Sequence, residues 1–375
     1  MKTKKKWIAM MLAAVLGVST IMAGCSSGGG DTQTTGVDSS TDATAETTET
    51  TETAEAAETA DFVPAAEIEV PEGKRLAVLP VDQVADETVR IAVVGMNTNT
   101  FDLYVYEGVE YATQVLADRN CVVDFISIKE HNITEYESNI RSCMVAGYDA
   151  ICCNGFGEQL QDIISECTAN GVPVFIFNNP AGESESDSEA LSFWGQSGFE
   201  GGKALGELAV EELGGEGKYA IITGNFSLSG HEARRLGFRS VMDEYEGMEL
   251  VGEYENNDLY ETAYELTTNL ITANPDISCI YVTAGGPGGA AQAIEDAGLS
   301  GEIVMVCHDW MPDTMPFVES GVISGVLDQE PFTQGYAPVI DAFNYLVGGI
   351  TPEKVNLIEG QIATPENIDE VYVAE

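Results

Sequence analysis

Basic side chains are scarce in this sequence. Its 375 residues include 16 Lys and Arg against 62 Asp and Glu, which gives a formal charge of −46, and only three histidines. A surface of that sign repels phosphate backbones, so the charge argues against nucleic acid as a partner. We interpret the negative charge as a means of solubility outside the cell rather than as a cation-binding device.

Catalytic and metal-binding signatures are also missing from the main part of the chain. From residue 89 onward there is no Gly-x-Ser-x-Gly turn for a hydrolase nucleophile and no Gly-x-x-x-x-Gly-Lys-Ser/Thr phosphate loop. His308 and Asp309 are adjacent on a predicted strand, so their side chains point to opposite faces and do not form a natural catalytic pair. The acidic run 184–189 fits a solvated loop better than a metal site. We expect no enzymatic activity, no cofactor and no metal, with a hydrolase as the least favoured alternative.

Cysteine pairs of the Cys-x-x-Cys type are absent, which weakens a zinc or redox interpretation. Beyond residue 89 the chain has seven cysteines, and an odd number does not suit a complete disulfide framework. Four of them fall inside predicted buried strands, where a thiol packs as a small apolar group: Cys152, Cys153, Cys279 and Cys307. We expect free thiols, and hence a reducing or anoxic habitat.

The N-terminus carries the longest apolar run of the chain. Four lysines within the first six residues precede an apolar stretch from Trp7 to Met22, which is short for a membrane span. Met22-Ala23-Gly24-Cys25 resembles the bacterial lipobox, which implies cleavage before Cys25 and a lipid on its thiol. We therefore expect a lipoprotein signal peptide over 1–24 and a protein lipid-anchored to the extracytoplasmic face of a bacterial cell membrane. The alternative is a plain secretory signal with a chance cysteine.

The next stretch has the composition of a tether. Residues 26–60 contain no aromatic side chain, no Lys and no Arg. Such a composition buries too little apolar surface to offset its chain entropy, and its acidic residues repel one another. We predict a disordered acidic tether over 25–60, followed by a proline-containing transitional segment over 61–88.

From residue 89 the sequence alternates β-branched runs with helical segments. Strands are predicted at 89–95, 122–128, 149–154, 172–178, 218–224, 248–254, 277–283, 303–309 and 323–329. Helices are predicted at 103–117, 134–146, 159–169, 198–213, 230–245, 262–273, 288–297, 312–320 and 334–346. This alternation predicts an α/β fold of two doubly wound parallel sheets. Ligands of such sheets bind beyond the carboxyl ends of the strands, so functional residues are expected there.

Several segments follow, in order, the pattern of ribose-type periplasmic sugar-binding proteins. They include GMNTNTFDLYVYEGVEYA at 95–112, HEARRLGF at 231–238 and MVCHDWMPDTMPFVESGVISGVLDQEP at 305–331. The resemblance covers nearly all of 89–350. It implies two Rossmann-like lobes joined by a three-stranded hinge, with 89–195 plus 330–355 in one lobe and 196–329 plus 356–375 in the other. It also implies a sugar clamped between the lobes and delivered to an ABC permease, and we expect a monomer.

Three polar residues are the strongest candidates for ligand contact by this resemblance. Arg234 corresponds to an arginine that forks onto two sugar hydroxyls, Asp309 to a ligand-binding aspartate and Gln329 to a ligand contact at the hinge. Guanidinium and carboxylate make strong, charge-assisted hydrogen bonds to hydroxyl groups, which suits a polyol. The alternatives are an exposed helix arginine, an aspartate that caps the following helix and a glutamine that serves the hinge backbone.

Other candidates lie on the loops of the cleft. Asn99 and Phe101 match an asparagine and an aromatic of the first-lobe loop, where Phe101 either stacks on sugar C–H groups or packs in the core. Trp194 and Trp310 are expected near the same cleft, as a second sugar platform or as packing residues.

The chain departs from the family pattern at several cleft positions. Asn178 and Asn179 stand where Asp-Arg is common, Gln196 stands where Asp is usual, and Asp102 replaces a second stacking aromatic. The glycine-rich run 284–289 replaces Asn-Asp, which leaves either bare backbone N–H groups for an anionic or larger substituent or simply a tight turn. We therefore expect a sugar or sugar-like polyol other than ribose. Import through an ABC permease is the favoured role, and presentation of the ligand to a membrane kinase or chemoreceptor is the alternative.

Overall fold

The computed structural model describes residues 62–129, 132–182 and 184–372. The predicted signal peptide, Cys25 and the tether lie outside these residues.

The elements alternate along the chain as the sequence pattern predicts. The strands are β1 (Val89–Met96), β2 (Cys121–Ile128), β3 (Ala150–Asn154), β4 (Val174–Phe177), β5 (Ser192–Gly195), β6 (Glu216–Thr223), β7 (Gly247–Glu255), β8 (Ile277–Val282), β9 (Val304–His308), β10 (Gly325–Leu327), β11 (Val355–Leu357) and β12 (Ile362–Ala363). The helices are α1 (Thr100–Leu116), α2 (Ile133–Val145), α3 (Gln161–Ala169), α4 (Gly198–Leu213), α5 (Ser229–Met242), α6 (Tyr260–Ala273), α7 (Pro287–Asp296), α8 (Met315–Glu319), α9 (Pro331–Gly348) and α10 (Ile368–Val371).

Two six-stranded sheets result, and each forms the centre of one lobe. The lobe 1 sheet has the order β11-β5-β4-β3-β1-β2, with all neighbours parallel. The lobe 2 sheet has the order β12-β10-β9-β8-β6-β7 and is parallel except for β12 against β10. The predicted α/β class with two parallel-sheet lobes is therefore confirmed.

The hydrophobic runs explain why helices cover both faces of each sheet. In β1 alternate residues enter two different cores, since Ile91 and Val93 pack towards α1 and α9, whereas Ala92 and Val94 pack towards α2 and α3. Burial on both faces requires apolar residues at successive positions, and the sequence of β1 has such a run from Ile91 to Val94. The cysteines follow the same rule: all seven that are described are unpaired and buried.

The chain crosses between the lobes three times. The crossings lie between β5 and α4, between β10 and α9, and between β11 and β12. They are hydrogen-bonded side by side: Ile358 N–H donates to Gly195 O at 2.9 Å, and Asp328 N–H donates to Gln361 O at 2.9 Å. The Gln196 side chain adds a bond to Asp328 O at 3.1 Å. The two lobes are thus joined by a narrow, three-segment hinge.

The segment that precedes β1 packs on lobe 1. Arg119, whose side chain is fully buried, donates to Val63 O at 2.6 Å and to Val115 O at 3.0 Å. Asn344 of α9 exchanges two hydrogen bonds with this segment, accepting from Val81 N–H and donating to Leu79 O. The residues from 62 to 88 therefore form an ordered strap over α1 and α9 rather than a mere transition.

Candidate ligand-binding site

A cavity of about 510 Å³ lies between the lobes. Its lining residues follow the carboxyl ends of strands in both sheets, including β1, β3 and β4 of lobe 1 and β6 to β9 of lobe 2, and Gln329 adds the hinge. This is where a doubly wound sheet places a ligand. Of the residues proposed from the sequence, the cavity brings together Asn99, Phe101, Asp102, Asn178, Asn179, Arg234, Asp309 and Gln329.

Arg234 is positioned by the close packing of α4 on α5. A Cβ atom at Gly202 would lie 2.0 Å from Arg234 O, so only glycine lets the two helices approach this closely. The Arg234 side chain is 8% exposed and donates from one terminal nitrogen to Thr283 O at 2.9 Å. Its Nε has no hydrogen-bond partner among the described residues. Its neighbour Arg235 instead pairs with carboxylates of Glu232 and Glu253 and does not line the cavity.

Gln329 joins Arg234 to Asp309. Its side-chain oxygen accepts from Arg234, and its amide nitrogen donates to Asp309 Oδ1. Burial raises the pKa of Asp309, while Arg234 and the bond from Gln329 oppose that shift. Asp309 does not cap α8, because that helix begins six residues later and has no side-chain cap.

The lobe 1 side of the cavity is a cluster of amides. Asn154 donates to Asn178 Oδ1 at 3.1 Å, and Asn179 donates to both Asn154 and Asn178 at 3.1 and 2.6 Å. Asn178 in turn donates to Gln334 Oε1 at 3.1 Å, and Gln334 donates to Gln329 O at 2.8 Å. A continuous polar path therefore links the amide cluster to the hinge glutamine.

The loop after β1 supplies an aromatic and a carboxylate. Asn99 caps α1, accepting from Asp102 N–H at 2.9 Å and donating to Asp102 Oδ2 at 2.7 Å. Burial raises the pKa of Asp102 to about 7, with the charges of Asp258 and Asp309 adding to the shift and the Asn99 bond opposing it. Phe101 packs partly against the lobe 1 core and also lines the cavity.

The glycine-rich run 284–289 forms a turn that Asp258 bonds through its carboxylate. Its Oδ1 accepts from Gly285 N–H at 2.9 Å, and Gly286 has φ +97° at the start of α7. The positive φ of Gly286 requires glycine at that position, and the N–H group of Gly285 is bonded by the Asp258 carboxylate. The geometry supports the tight turn rather than a receptor for an anionic substituent.

Three proposed residues do not face the cavity. Trp310 donates from Nε1 to Val326 O at 2.9 Å, packs edge-on against Tyr372 and lines a separate cavity of about 350 Å³ beside the hinge. Gln196 does not line the cavity. Its side-chain amide donates to Asp328 O in the hinge instead. Trp194 lies inside β5 and donates to buried Asp341 at 2.7 Å, so it belongs to the lobe 1 core.

Several lining or supporting residues were not singled out from the sequence, among them Asn154, Asp258, Tyr136 and Gln334. Asn154 is the last residue of β3 and Asp258 lies in the loop after β7, so the rule that ligands bind at the carboxyl ends of strands was sufficient to indicate them. Tyr136 and Gln334 lie within helices, and their position depends on packing between elements distant in sequence.

His308, by contrast, is turned away from the cavity. It is fully buried, Tyr281 Oη lies 2.9 Å from its Nε2, and burial lowers its pKa well below the usual value. His308 is the last residue of β9 and does not line the cavity, so this buried imidazole is a structural group. The described residues also contain no group of three or more His, Cys, Asp or Glu side chains placed to hold a metal.

Comparison with known proteins agrees with this architecture. Residues 91–350 match the family described as periplasmic binding protein domain. A D-ribose/D-allose-binding protein of Pseudomonas aeruginosa is 25% identical over 300 residues, covering 76% of this chain and 91% of that protein. A xylose/arabinose-binding protein of Sulfolobus acidocaldarius is 20% identical over 297 residues, covering 74% of this chain and 71% of that protein.

The fold also matches solved structures. A glucose-galactose binding protein from Geobacillus stearothermophilus superposes with a TM-score of 0.69 at 22% identity, covering 76% of this chain and 99% of that one. These relatives are named for binding and not for catalysis, in agreement with the expectation that the chain is not an enzyme. In the part of the chain that the structure describes, every helix is too short or too polar to cross a membrane.

Proposed function

Because the chain belongs to the periplasmic binding protein family, we propose that it is a lipid-anchored, extracytoplasmic solute-binding protein that captures a sugar or sugar-like polyol and delivers it to an ABC importer. The observation that carries this proposal is the inter-lobe cavity, in which Arg234, Gln329 and Asp309 form one hydrogen-bonded series opposite Phe101 and the amide cluster. The sugar-binding names of the relatives support the ligand class.

The chemistry of the cavity suits a hydroxylated ring. Asp309 can accept a hydrogen bond from a hydroxyl group, and the terminal N–H groups of Arg234 that are not bonded to Thr283 or Gln329 can donate one, so both groups make charge-assisted bonds with a single polyol. Phe101 supplies an apolar face for ring C–H groups. The amides of Asn178 and Asn179 can donate or accept and fix the orientation of further hydroxyls.

Capture then depends on the hinge. Arg234 and Asp309 belong to lobe 2, whereas Phe101 and the amide cluster belong to lobe 1, so a ligand that contacts all of them favours the closed arrangement. Three short crossings allow such a rotation without disturbing either sheet. The closed form would present a defined surface to the permease, and a tether from Cys25 would keep it near the membrane.

A thermal-shift screen of purified protein against pentoses, hexoses, alditols, sugar acids and nucleosides tests the ligand class. A ligand that binds only the folded chain raises the melting temperature. We expect at least one polyol to do so, with isothermal titration calorimetry giving one site per chain. Absence of any shift across the panel would contradict the proposal.

Reconstitution with the membrane partner tests the role that follows capture. Stimulation of permease ATPase activity by the liganded protein supports import. Stimulation of a membrane kinase in its place would assign the protein to sensing.

A further inference from the structure

The inter-lobe cavity has an excess of negative charge. Its charged lining residues are four aspartates, two cationic side chains and a histidine: Asp102, Asp258, Asp309, Asp313, Arg234, Lys129 and His231. Asp309 shares a hydrogen-bonded series with Arg234 through Gln329. Besides that series, three aspartates line the cavity together with one lysine and one histidine, so acidic groups outnumber basic groups.

Among the described residues, two of these aspartates have only neutral hydrogen-bond donors as partners. Asp102 accepts from the Asn99 amide at 2.7 Å, and Asp258 accepts from the Gly285 backbone at 2.9 Å. Among the described residues, the ion pairs of Lys and Arg involve other carboxylates. Asp102 and Asp258 also belong to different lobes, on α1 and on the loop after β7, so a group between them would contact both lobes.

With a neutral ligand, this negative charge is relieved only by protonation, chiefly of Asp102, whose pKa of about 7 leaves it partly ionised at neutral pH. Removing carboxylates from water is unfavourable unless a cation or several donors replace the solvent. Asp102, Asp258 and Asp309 line the same cavity, and the charges of Asp258 and Asp309 add to the rise in the pKa of Asp102 that burial causes. When closure removes water from the cavity, a hydroxyl group can satisfy one oxygen but cannot offset the negative charge.

A second observation indicates that the same ligand carries hydroxyl groups. Arg234 is more than nine-tenths buried and lines the cavity, and its terminal nitrogens each make one hydrogen bond, to Thr283 and to Gln329, so their other N–H donors lack an acceptor among the described residues. A hydroxyl oxygen is such an acceptor, and a purely cationic ligand would be repelled from this position.

We propose that the ligand is an amino sugar or amino-substituted polyol, whose protonated amine lies between Asp102 and Asp258 while its hydroxyl groups bind Arg234 and Asp309. This inference rests on the proposed function of the cavity as a polyol site and specifies the ligand class. An ammonium group has three donors, which is enough to bond both carboxylates, and each bond is charge-assisted.

Matched ligand pairs test the inference by calorimetry at pH 7 and low salt. The pairs are glucose with glucosamine, galactose with galactosamine, mannose with mannosamine and sorbitol with glucamine. We expect the best amine to bind about tenfold or more tightly than its neutral parent and than its N-acetyl form. A neutral parent that binds as tightly as its amine, or more tightly, overturns the inference but leaves the proposed function intact. If no member of the panel binds, both fail.

Two conservative variants test whether the amine binds the carboxylates of Asp102 and Asp258. Asp102→Asn and Asp258→Asn keep an acceptor oxygen but remove the charge, so the ratio of amine to neutral affinity should fall towards one in each. Glu319→Gln, at an exposed position on α8, removes the same charge and should leave the ratio unchanged. Retention of the full ratio in both aspartate variants would overturn the assignment, and the melting temperature of the unliganded variants establishes that they fold.

Discussion

At the scale of single residues, Gln329 connects the opposite charges of Arg234 and Asp309 by hydrogen bonds. It accepts from Arg234 and donates to Asp309, so each charged side chain is oriented by the other through a neutral amide. Such a series holds donors and acceptors in place before the ligand arrives, which lowers the ordering cost of binding. The sequence resemblance named all three residues, but it could not reveal that they bond one another.

Arg234→Ala and Asp309→Ala should each weaken ligand binding by about 2 kcal/mol or more, because each removes a buried charged partner of a hydroxyl group. Calorimetry with the ligand identified by the thermal-shift screen measures the loss. Arg235→Ala is the matched control, since this adjacent arginine of α5 pairs with Glu232 and Glu253 away from the cavity. An affinity that both cleft variants retain would contradict the assigned site.

Asp102 should make the unliganded protein less stable as pH rises. Its pKa in the folded chain is about 7, above the value of about 4 in an unfolded chain. The folded chain therefore holds a proton that the unfolded chain releases, and stability is lost progressively between about pH 4 and about pH 7. Asp102→Asn removes this loss, so it should raise the free energy of unfolding relative to wild type by about 1–3 kcal/mol at pH 8 and by much less at pH 4.

Urea denaturation at the two pH values measures this difference, with Glu319→Gln as a control for loss of one acidic group. An equal effect of Asp102→Asn at pH 4 and pH 8 would show that the Asp102 carboxyl is not perturbed.

At the scale of elements, the helices and long strands could be predicted from the sequence because their periodicity is strong. α4 begins and ends where the pattern predicts, at 198 and 213. Three strands were not predicted: β5, β11 and β12. They have four, three and two residues, and these are too few to show the apolar run by which a buried strand is predicted. All three occupy positions next to the hinge, where the sheet rather than the local sequence determines extended structure.

The candidate site also contains residues that could be predicted from the sequence and residues that could not. Arg234 and Asp309 follow the ends of predicted strands and could be found by rule and by resemblance. Trp310 was misassigned because it is adjacent to Asp309, which has φ +78°, and the backbone there directs the two side chains to different cavities. Such a turn has no signal in the sequence, as left-handed geometry at an aspartate is seen only once the chain is folded.

The contact between α4 and α5 predicts that Gly202→Ala destabilises lobe 2 and displaces Arg234. The added methyl group would lie 2.0 Å from Arg234 O, so the backbone of one helix must move. We expect a loss of about 1–3 kcal/mol in the free energy of unfolding, measured by urea denaturation. Gly206→Ala on the same helix is the control, because its nearest neighbour is a Val241 side-chain atom at 3.1 Å. An equal or smaller loss for Gly202→Ala would contradict this account.

At the scale of the whole molecule, the strap from 62 to 88 joins the proposed tether to lobe 1, and its first residues pack on Asp118 and Arg119 at the end of α1. Arg75 of the strap pairs with Glu330 of the second crossing at 2.9 Å, and Thr333 donates to Arg75 O at 3.2 Å. A tether joined to the first residue of the strap would therefore hold lobe 1 and leave lobe 2 free to rotate about the hinge.

The proposed anchor predicts that Cys25→Ser releases the protein from the membrane. Serine cannot carry the thioether-linked lipid, so cells expressing this variant should retain an uncleaved precursor or secrete soluble protein. Fractionation with detection of the mature chain measures the distribution, and Cys121→Ser serves as a control at a buried thiol. Membrane retention of a processed Cys25→Ser chain would contradict lipid anchoring.

The central claim is that one ligand is gripped by both lobes. A crystal structure of the protein with the ligand found by the thermal-shift screen tests it most directly. We predict the ligand in the inter-lobe cavity, within hydrogen-bond distance of Arg234 and Asp309 on one side and in contact with Phe101 on the other. A ligand bound to one lobe alone, or outside that cavity, would contradict the account.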